Sequence, residues 1–269
     1  MNKENTKLKI HKQNDLIQAR YGAMTLHEQL LLLAVIGKVD PRQLTAETAV
    51  ELSVASFADI ADISETQAYD DLQRAVKRLY DRSVTIDNPD PDEPALKRTE
   101  TRWVSSINYF PGQGRIKLYF APKILPYLAN LRNNYTAYFL RHVSKFRSKY
   151  SVRLYELLVQ WQSKGEREVE IEWLREHWQL QDKYSAIKDL KKWVIEPTLR
   201  DINEFSNLWV KMGQRKRGRR VHSLQFRFGL KQQEKKKLDR VYIEKHAKPG
   251  ETWDNAYKRL TLKIRETER

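Results

Sequence analysis

The sequence predicts an α+β fold of two tandem winged-helix domains related by internal duplication, mostly helical and with a β-hairpin wing in each. Three observations lead there. A helix-turn-helix spacing followed by an alternating hairpin occurs in the first half, the same order recurs in the second, and the positive charge gathers in the second copy. The chain has 269 residues, 40% of them hydrophobic, enough for one large core or two small ones. Seven Trp, thirteen Tyr and eight Phe supply buried area that a disordered chain lacks.

In YGAMTLHEQLLLLAVIGKV, residues 21–39, Thr25 caps a buried helix and Glu28 three residues later completes a capping box; the helix should stop near Asp40-Pro41. VASFADIADISETQAYDDLQRAVKRLYDRSVTI reads as a short helix through Phe57, Ile60 and Ala61, a turn, and a longer helix capped by Ser64. Its Ala68, Leu72, Ala75, Val76 and Leu79 recur at three- and four-residue spacing and form one buried face. Residues 87–101, DNPDPDEPALKRTET, read as a loop because of three prolines and many charges. Then RWVSSINYF, a PGQG turn and RIKLYF form a hairpin, with Ile116, Leu118 and Phe120 on one face.

The second half repeats the order. SVRLYELLVQWQ, residues 151–162, reads as an amphipathic helix through Val152, Leu154, Tyr155, Leu158, Val159 and Gln162, and REVEIEWLREHWQL as a short element and a turn. On the next helix, KYSAIKDLKKWVIEPTLRDINEF, Ile187, Leu190, Val194 and Ile195 share one face while Lys188, Lys191 and Lys192 share the other. Pro197 cannot hydrogen-bond back to Trp193, so a kink or restart is expected there. NLWVKM and VHSLQFRF read as two strands, Leu224, Phe226 and Phe228 inward and Gln225 and Arg227 outward, joined by the octapeptide GQRKRGRR at 213–220. The expected domains are 1–140, 141–232 and a basic tail at 233–269, which has a PGET turn and a short helix from Trp253 to Leu262.

Residues 1–100 hold 13 Lys and Arg against 17 Asp and Glu, a net of −4, so the chain total of +15 leaves +19 for residues 101–269. A comfortable net charge for a small domain is about 2 to 8, so the second part is read as facing a polyanion. The absence of Cys excludes disulfides, thiolate zinc sites and cysteine nucleophiles and fits a reducing compartment, the cytoplasm being the expectation. The polar N-terminus and the lack of any run of about 18 apolar residues lead to an expectation of no signal peptide and no membrane partner.

Catalytic chemistry finds no foothold. Gly213 and Gly218 have P-loop spacing, but Arg219-Arg220 stand where Lys-Ser/Thr should and a strand follows instead of a helix. His11, His27, His142, His177, His222 and His246 are scattered without metal-ligand spacing, and Tyr109, Tyr119, Tyr138 and Tyr155 fall at positions that read as core. The expectation is no enzyme, no cofactor and no metal. DNA binding, by contrast, has coherent parts. A recognition helix would present Ser185, Lys188, Lys191 and Lys192 to the major groove, and the wing tip Arg215, Lys216, Arg217, Arg219 and Arg220 would lie along the backbone or enter a minor groove.

The order QARYGAMTLHEQLLLLAVIGKVDP, FADIADIS with AYDDLQRAVKRL, INYFPGQGRIKLYFAPKILPYLANLRNNYTAYFL, SKYSVRLYELLVQW, then KDLKKWVIEPTLRDIN with RRVHSLQFRF resembles the replication initiators of iteron-containing bacterial plasmids over residues 8–230. The resemblance implies a C-terminal winged helix that binds origin direct repeats (iterons) in duplex DNA as a monomer, with the recognition role on Ser185 to Lys192 and the wing role on Gly213 to Arg220. It implies an N-terminal domain for dimerisation, its hairpin Trp103 to Phe120 a dimer element or one remodelled on DNA binding. The homodimer would repress its own promoter at an operator, and the monomer would recruit the host initiator, replicative helicase and chaperone. On the first domain's helix Arg74, Lys77 and Arg78 are left for auxiliary backbone contact, beside Glu65, Asp70 and Asp71, which disfavour base reading. The alternatives are a dedicated winged-helix transcriptional repressor, a rolling-circle origin-nicking enzyme, and an RNA-binding or scaffolding protein.

Overall fold

A computed structural model describes the chain except residues 2, 22, 91, 111, 132, 232–239 and 268–269. It forms two compact units, residues 1–230 and residues 231–269.

The larger unit is built twice from one plan. In the first copy α2 (Leu26–Gly37), strand β2 (Val50–Ser53), α3 (Val54–Ala61), α4 (Glu65–Asp81) and the hairpin β5 (Val104–Phe110) and β6 (Arg115–Phe120) follow one another. In the second copy α5 (Lys149–Val159), β8 (Glu166–Glu170), α6 (Ile171–His177), a helix over residues 187–205 and the hairpin β9 (Leu208–Arg217) and β10 (Arg220–Leu230) do the same. The sheet orders also correspond, β2-β6-β5 and β8-β10-β9, with the hairpin's second strand in the middle each time. The tandem winged-helix architecture is thus a duplication at the level of strand order. The strands β2 and β8, each leading directly into a helix, complete it.

Local chemistry sets the ends of these helices. Thr25 Oγ1 accepts from the Glu28 N–H while the Glu28 carboxylate accepts from the Thr25 N–H, the capping box expected for α2. Ser53 and Ser64 cap α3 and α4 through the N–H groups of Ser56 and Gln67, and between them Asp62 turns left-handed at φ 56°. Ala68, Leu72, Ala75, Val76 and Leu79 are buried, as their spacing predicts.

Four expectations are corrected. The segment 87–101 is not all loop: Arg98–Arg102 forms β4, paired antiparallel with β3 (Ser83–Asp87). Alternation across RTETR suits a strand whose partner supplies the buried Val84 and Ile86, and Pro89 and Pro94 lie between the two strands. α5 is not amphipathic, since residues 151–159 are buried all round, and it ends at Val159, leaving Gln162 exposed beyond it. A helix packed against both α1 (Asn14–Gln18) and the second copy's long helix has no solvent face to keep polar. Tyr109 is 49% exposed on the outer strand β5, whereas Tyr138 and Tyr155 are core. The octapeptide 213–220 is mostly strand, as described below.

A further pairing, β1 (Lys9–Gln13) with β7 (Tyr135–Phe139), closes the first half. It delivers Lys12 to the buried Glu156 of α5, with Nζ to Oε1 at 2.6 Å and both side chains at most 1% exposed. Tyr138 Oη also donates to that carboxylate, at 2.5 Å; burial and then the Glu156 charge push its phenol pKa well up, so it stays protonated. Arg153 donates through Nη2 to the Ala19 carbonyl at 2.7 Å. These bonds tie the two copies together through buried charge.

The smaller unit holds α9 (Arg240–His246) and α10 (Trp253–Thr267), longer than the expected helix, around a core of Ile243, Ala256 and Leu260. Arg259 clamps Glu251 through Nε at 2.7 Å, and Gly250, at φ 81°, makes the PGET turn. The basic run at 232–239 lies outside the described residues.

Candidate nucleic-acid interface

The helix over residues 187–205 is continuous but not uniform. It comprises α7 (Ile187–Leu190), one π turn over Lys191–Ile195 and α8 (Glu196–Phe205). The Glu196 N–H reaches back to the Lys191 carbonyl, five residues earlier. Pro197 lacks the N–H that would bond to Trp193, so the expected kink takes the form of this wider turn. Leu190, Val194, Ile195, Thr198 and Ile202 are buried; Lys188, Lys192 and Trp193 are exposed, with Lys191 half-buried. The apolar and basic faces are those the spacing predicts. Ser185 is placed differently: it lies exposed in the turn before the helix, which starts at Ile187.

Polar side chains, two of them buried, fix this helix in place. Arg175 of α6 donates to the carbonyls of Lys183 at 2.9 Å, Tyr184 at 2.6 Å and Ser185 at 3.0 Å, holding the turn from which the helix springs. Asp201 accepts from the Arg147 N–H at 2.9 Å and from Ser151 Oγ at 2.7 Å, tying α8 to the start of α5. Asn203 bonds both backbone groups of Val210 on β9. Each replaces water on a group that burial would otherwise leave unpaired.

The wing is a long two-stranded ribbon. Arg217 pairs with Arg220, so only Gly218 and Arg219 form the turn. Gly218, at φ 63°, takes the left-handed conformation that a two-residue hairpin turn requires of its first member. Gly213 lies within β9 opposite Gln225 and turns nothing, which corrects the expectation that both glycines shape the tip. A bulge between Val221 and Ser223 twists the ribbon near its end.

Alternation then divides the cations. Lys216 shares a face with Met212 and Gln214, and Lys191 donates from the helix to Gln214 Oε1, so this face adjoins the helix. Arg215 points the other way, its Nη1 3.2 Å from Glu168 on β8. That carboxylate also accepts from Ser223 and Gln225, and the Ser223 bond leads in holding its pKa below the usual range. Lys216, Arg217, Arg219 and Arg220 are exposed, with no carboxylate partner among the described residues. Lys188, Lys191, Lys192 and Lys216 are therefore brought together by helix and ribbon, Arg217, Arg219 and Arg220 extend beyond them, and Arg215 is partly neutralised.

On α4, Arg74 pairs with Asp71, and Arg78 lies 3.9 Å from the buried Glu28. Lys77 is exposed without an ion pair among the described residues. The positioning residues Arg175, Asp201 and Asn203 carry no pattern that sequence spacing reveals: Arg175 and Asn203 act on backbone groups a short way along the chain, and Asp201 on groups distant in sequence at the start of α5.

The family comparison completes this picture. Residues 9–159 match the model for the first winged helix of initiator replication proteins and residues 170–228 match the model for the second. The chain belongs to the replication initiator family, that of plasmid Rep proteins. It is 30% identical over 237 residues to an Escherichia coli replication initiation protein, covering 85% of this chain and 72% of that protein. A second Escherichia coli protein, an uncharacterised one of 27.6 kDa, is 26% identical and covers 77% of this chain and 90% of its own length. The fold is shared with the Pi initiator protein, solved in complex with iteron DNA, at a TM-score of 0.70 and 22% identity, covering 85% of this chain and 99% of that one. Residues 231–269 lie outside both family models.

Proposed function

We propose that this initiator binds origin direct repeats in duplex DNA through the helix over 187–205 and the β9–β10 wing. The observation that carries the reading is the placement of unneutralised cations. The exposed Lys188 and Lys192 stand on a helix locked from behind by Arg175, Asp201 and Asn203, beside a ribbon whose Arg217, Arg219 and Arg220 lack carboxylate partners among the described residues. A rigid helix suits base-edge readout and an arginine-rich ribbon suits phosphates or a narrow minor groove. The kinship with an initiator crystallised on iteron DNA supports the same assignment.

The first winged helix takes a supporting part, with Lys77 available for backbone contact and Arg74 and Arg78 partly held by carboxylates. The outer strand β5, unpaired along one edge and carrying the exposed Tyr109, suits a homodimer, which would occupy the operator and repress the protein's own promoter, while monomers engage the repeats. Host initiator, helicase and chaperone are the partners of the monomer in this reading. The same reading assigns the chain no strand-cleaving activity and a place in the bacterial cytoplasm; among the described residues no helix is long and apolar enough to cross a membrane.

The test is a gel-shift titration on an origin-repeat duplex and a scrambled duplex, with the mass of each complex measured in parallel. One monomer per repeat, preferred over the scrambled duplex by about a thousandfold or more, is expected. Equal affinity for both duplexes would overturn the reading, and a nicked product from supercoiled origin plasmid with magnesium would replace it by the enzyme alternative.

A further inference from the structure

Between the two winged helices lies a narrow crevice of about 20 Å³, lined among others by Gln29 of α2, Lys149, Tyr150 and Arg153 of α5, and Trp178. Four buried polar atoms in its lining residues make no hydrogen bond: Tyr21 Oη, Gln29 Oε1, Arg153 Nη1 and Trp178 Nε1. These residues are 4%, 5%, 4% and 5% exposed, and such atoms in a native interior call for a partner. The volume admits one oxygen or one water.

Lys149 lines the crevice, and two further cations from other elements, Lys183 and Arg82, lie near enough to bear on its charge. Lys149, half-buried as the first residue of α5, lies 5.1 Å over the Tyr150 ring, which stacks on Trp178 at 5.5 Å. Lys183 follows Trp178 in the turn whose carbonyls Arg175 holds. Arg82, at the end of α4, reaches Glu28, the neighbour of Gln29, with Nε to Oε2 at 3.0 Å. Burial first, then Lys183 and Arg82, push the Lys149 ammonium pKa down; Glu28, the one carboxylate opposing this, is already held by Arg82 and by the Thr25 N–H. Like charges gathered at a partly desolvated seam destabilise the free protein and favour an anion.

We propose that this seam is a phosphate site shared by both winged helices. A backbone phosphate of the duplex rests on Lys149 and Lys183, flanked by Arg82, with one oxygen or its bound water entering the crevice toward Arg153 and Trp178. The site extends the basic surface from the end of α4 to the turn before the recognition helix, so one phosphate contact fixes the two domains on the same stretch of DNA. The inference rests on the reading that the second winged helix binds duplex DNA.

The experiment is equilibrium binding of the full chain to the repeat duplex across a salt series, wild type against Lys149→Gln with Lys183→Gln. The variant is expected to flatten the slope of log K against log salt by about 0.9, one phosphate contact, while repeat-over-scrambled preference is kept. On duplexes carrying one neutral methylphosphonate in turn, a single position should weaken the wild type and leave the variant unaffected. Lys149→Arg should restore the wild-type slope. An unchanged slope in a variant that melts like the wild type overturns the site. So does stabilisation by inorganic phosphate, over chloride at equal ionic strength, without any change in the DNA slope, because the site then serves a free anion. If the wild type binds no duplex at all, the reading of the second winged helix fails; if only the Lys149 and Lys183 changes are silent while wing changes act, this site alone fails.

Discussion

Asn203 on α8 donates through Nδ2 to the Val210 carbonyl and accepts through Oδ1 from the Val210 N–H, both at 2.9 Å, so one side chain fixes the wing's first strand to the helix over 187–205. Asn203→Ala strips both partners from a part-buried backbone unit and should cost about 1 to 3 kcal/mol. Urea unfolding checks this, with a lowered midpoint and an unchanged slope. A gel-shift on the repeat duplex should show weaker binding than the stability loss alone explains, because the angle between helix and ribbon is no longer set.

The buried pair of Lys12 and Glu156 gives a second prediction. Lys12→Met leaves Glu156 with Tyr138 Oη and the more distant Arg153 Nη1 at 3.7 Å, and should destabilise the protein by about 3 to 5 kcal/mol. Adding Glu156→Gln should recover part of that loss, since no uncompensated carboxylate then remains. Calorimetry on the single and double variants reads the difference.

The proposed DNA surface yields a third prediction, sharpened by the ion pairs. Lys191→Ala with Lys192→Ala should weaken repeat binding by about 1 to 3 kcal/mol for each lysine that reads a base edge, and should reduce the preference over a scrambled duplex. Neutralising Arg217, Arg219 and Arg220 should lower affinity for all duplexes and flatten the salt slope by about 0.9 per phosphate neutralised. Arg215→Ala should flatten it less, because Glu168 sits 3.2 Å away. Fluorescence anisotropy across a salt series separates the three.

His142 supplies a pH dependence. Burial first, then the charge of Arg141, pull its imidazole down to about 4, with Nδ1 3.1 Å from Tyr155 Oη. The folded value lies below the unfolded one near 6.5, so the unfolded chain takes up the proton first and stability falls as pH drops from about 7 towards 4. Between pH 7 and 5 His142→Gln should lose about 1 kcal/mol less than the wild type, the full linkage discounted for the ring's partial exposure. Urea midpoints at the two pH values measure it.

Sequence spacing reveals the helices with one apolar face, because a period of three to four residues survives without knowledge of the partner; α4 with Ala68, Leu72 and Leu79 is an instance. The same rule misreads α5, whose residues 151–159 are enclosed by both domains, so no polar face exists to mark its period. β2 stays hidden and β8 shows only as a short element of unassigned type, because an alternation of four or five residues is too short to mark a strand. The basic faces of the helix over 187–205 and of the wing are legible as runs of Lys and Arg, whereas which cation is neutralised depends on long-range neighbours. Arg215 meets Glu168 across the sheet and Arg78 approaches Glu28 from another helix, separations no local pattern encodes.

Nuclease footprinting of the protein on its own plasmid's origin tests the central claim most directly. Protection repeated once per direct repeat, abolished by scrambling the repeats and weakened by Lys191→Ala with Lys192→Ala, is the result expected of a recognition helix over 187–205. Uniform protection along the fragment, or a repeat-specific pattern that the Lys191 and Lys192 changes leave intact, would contradict it.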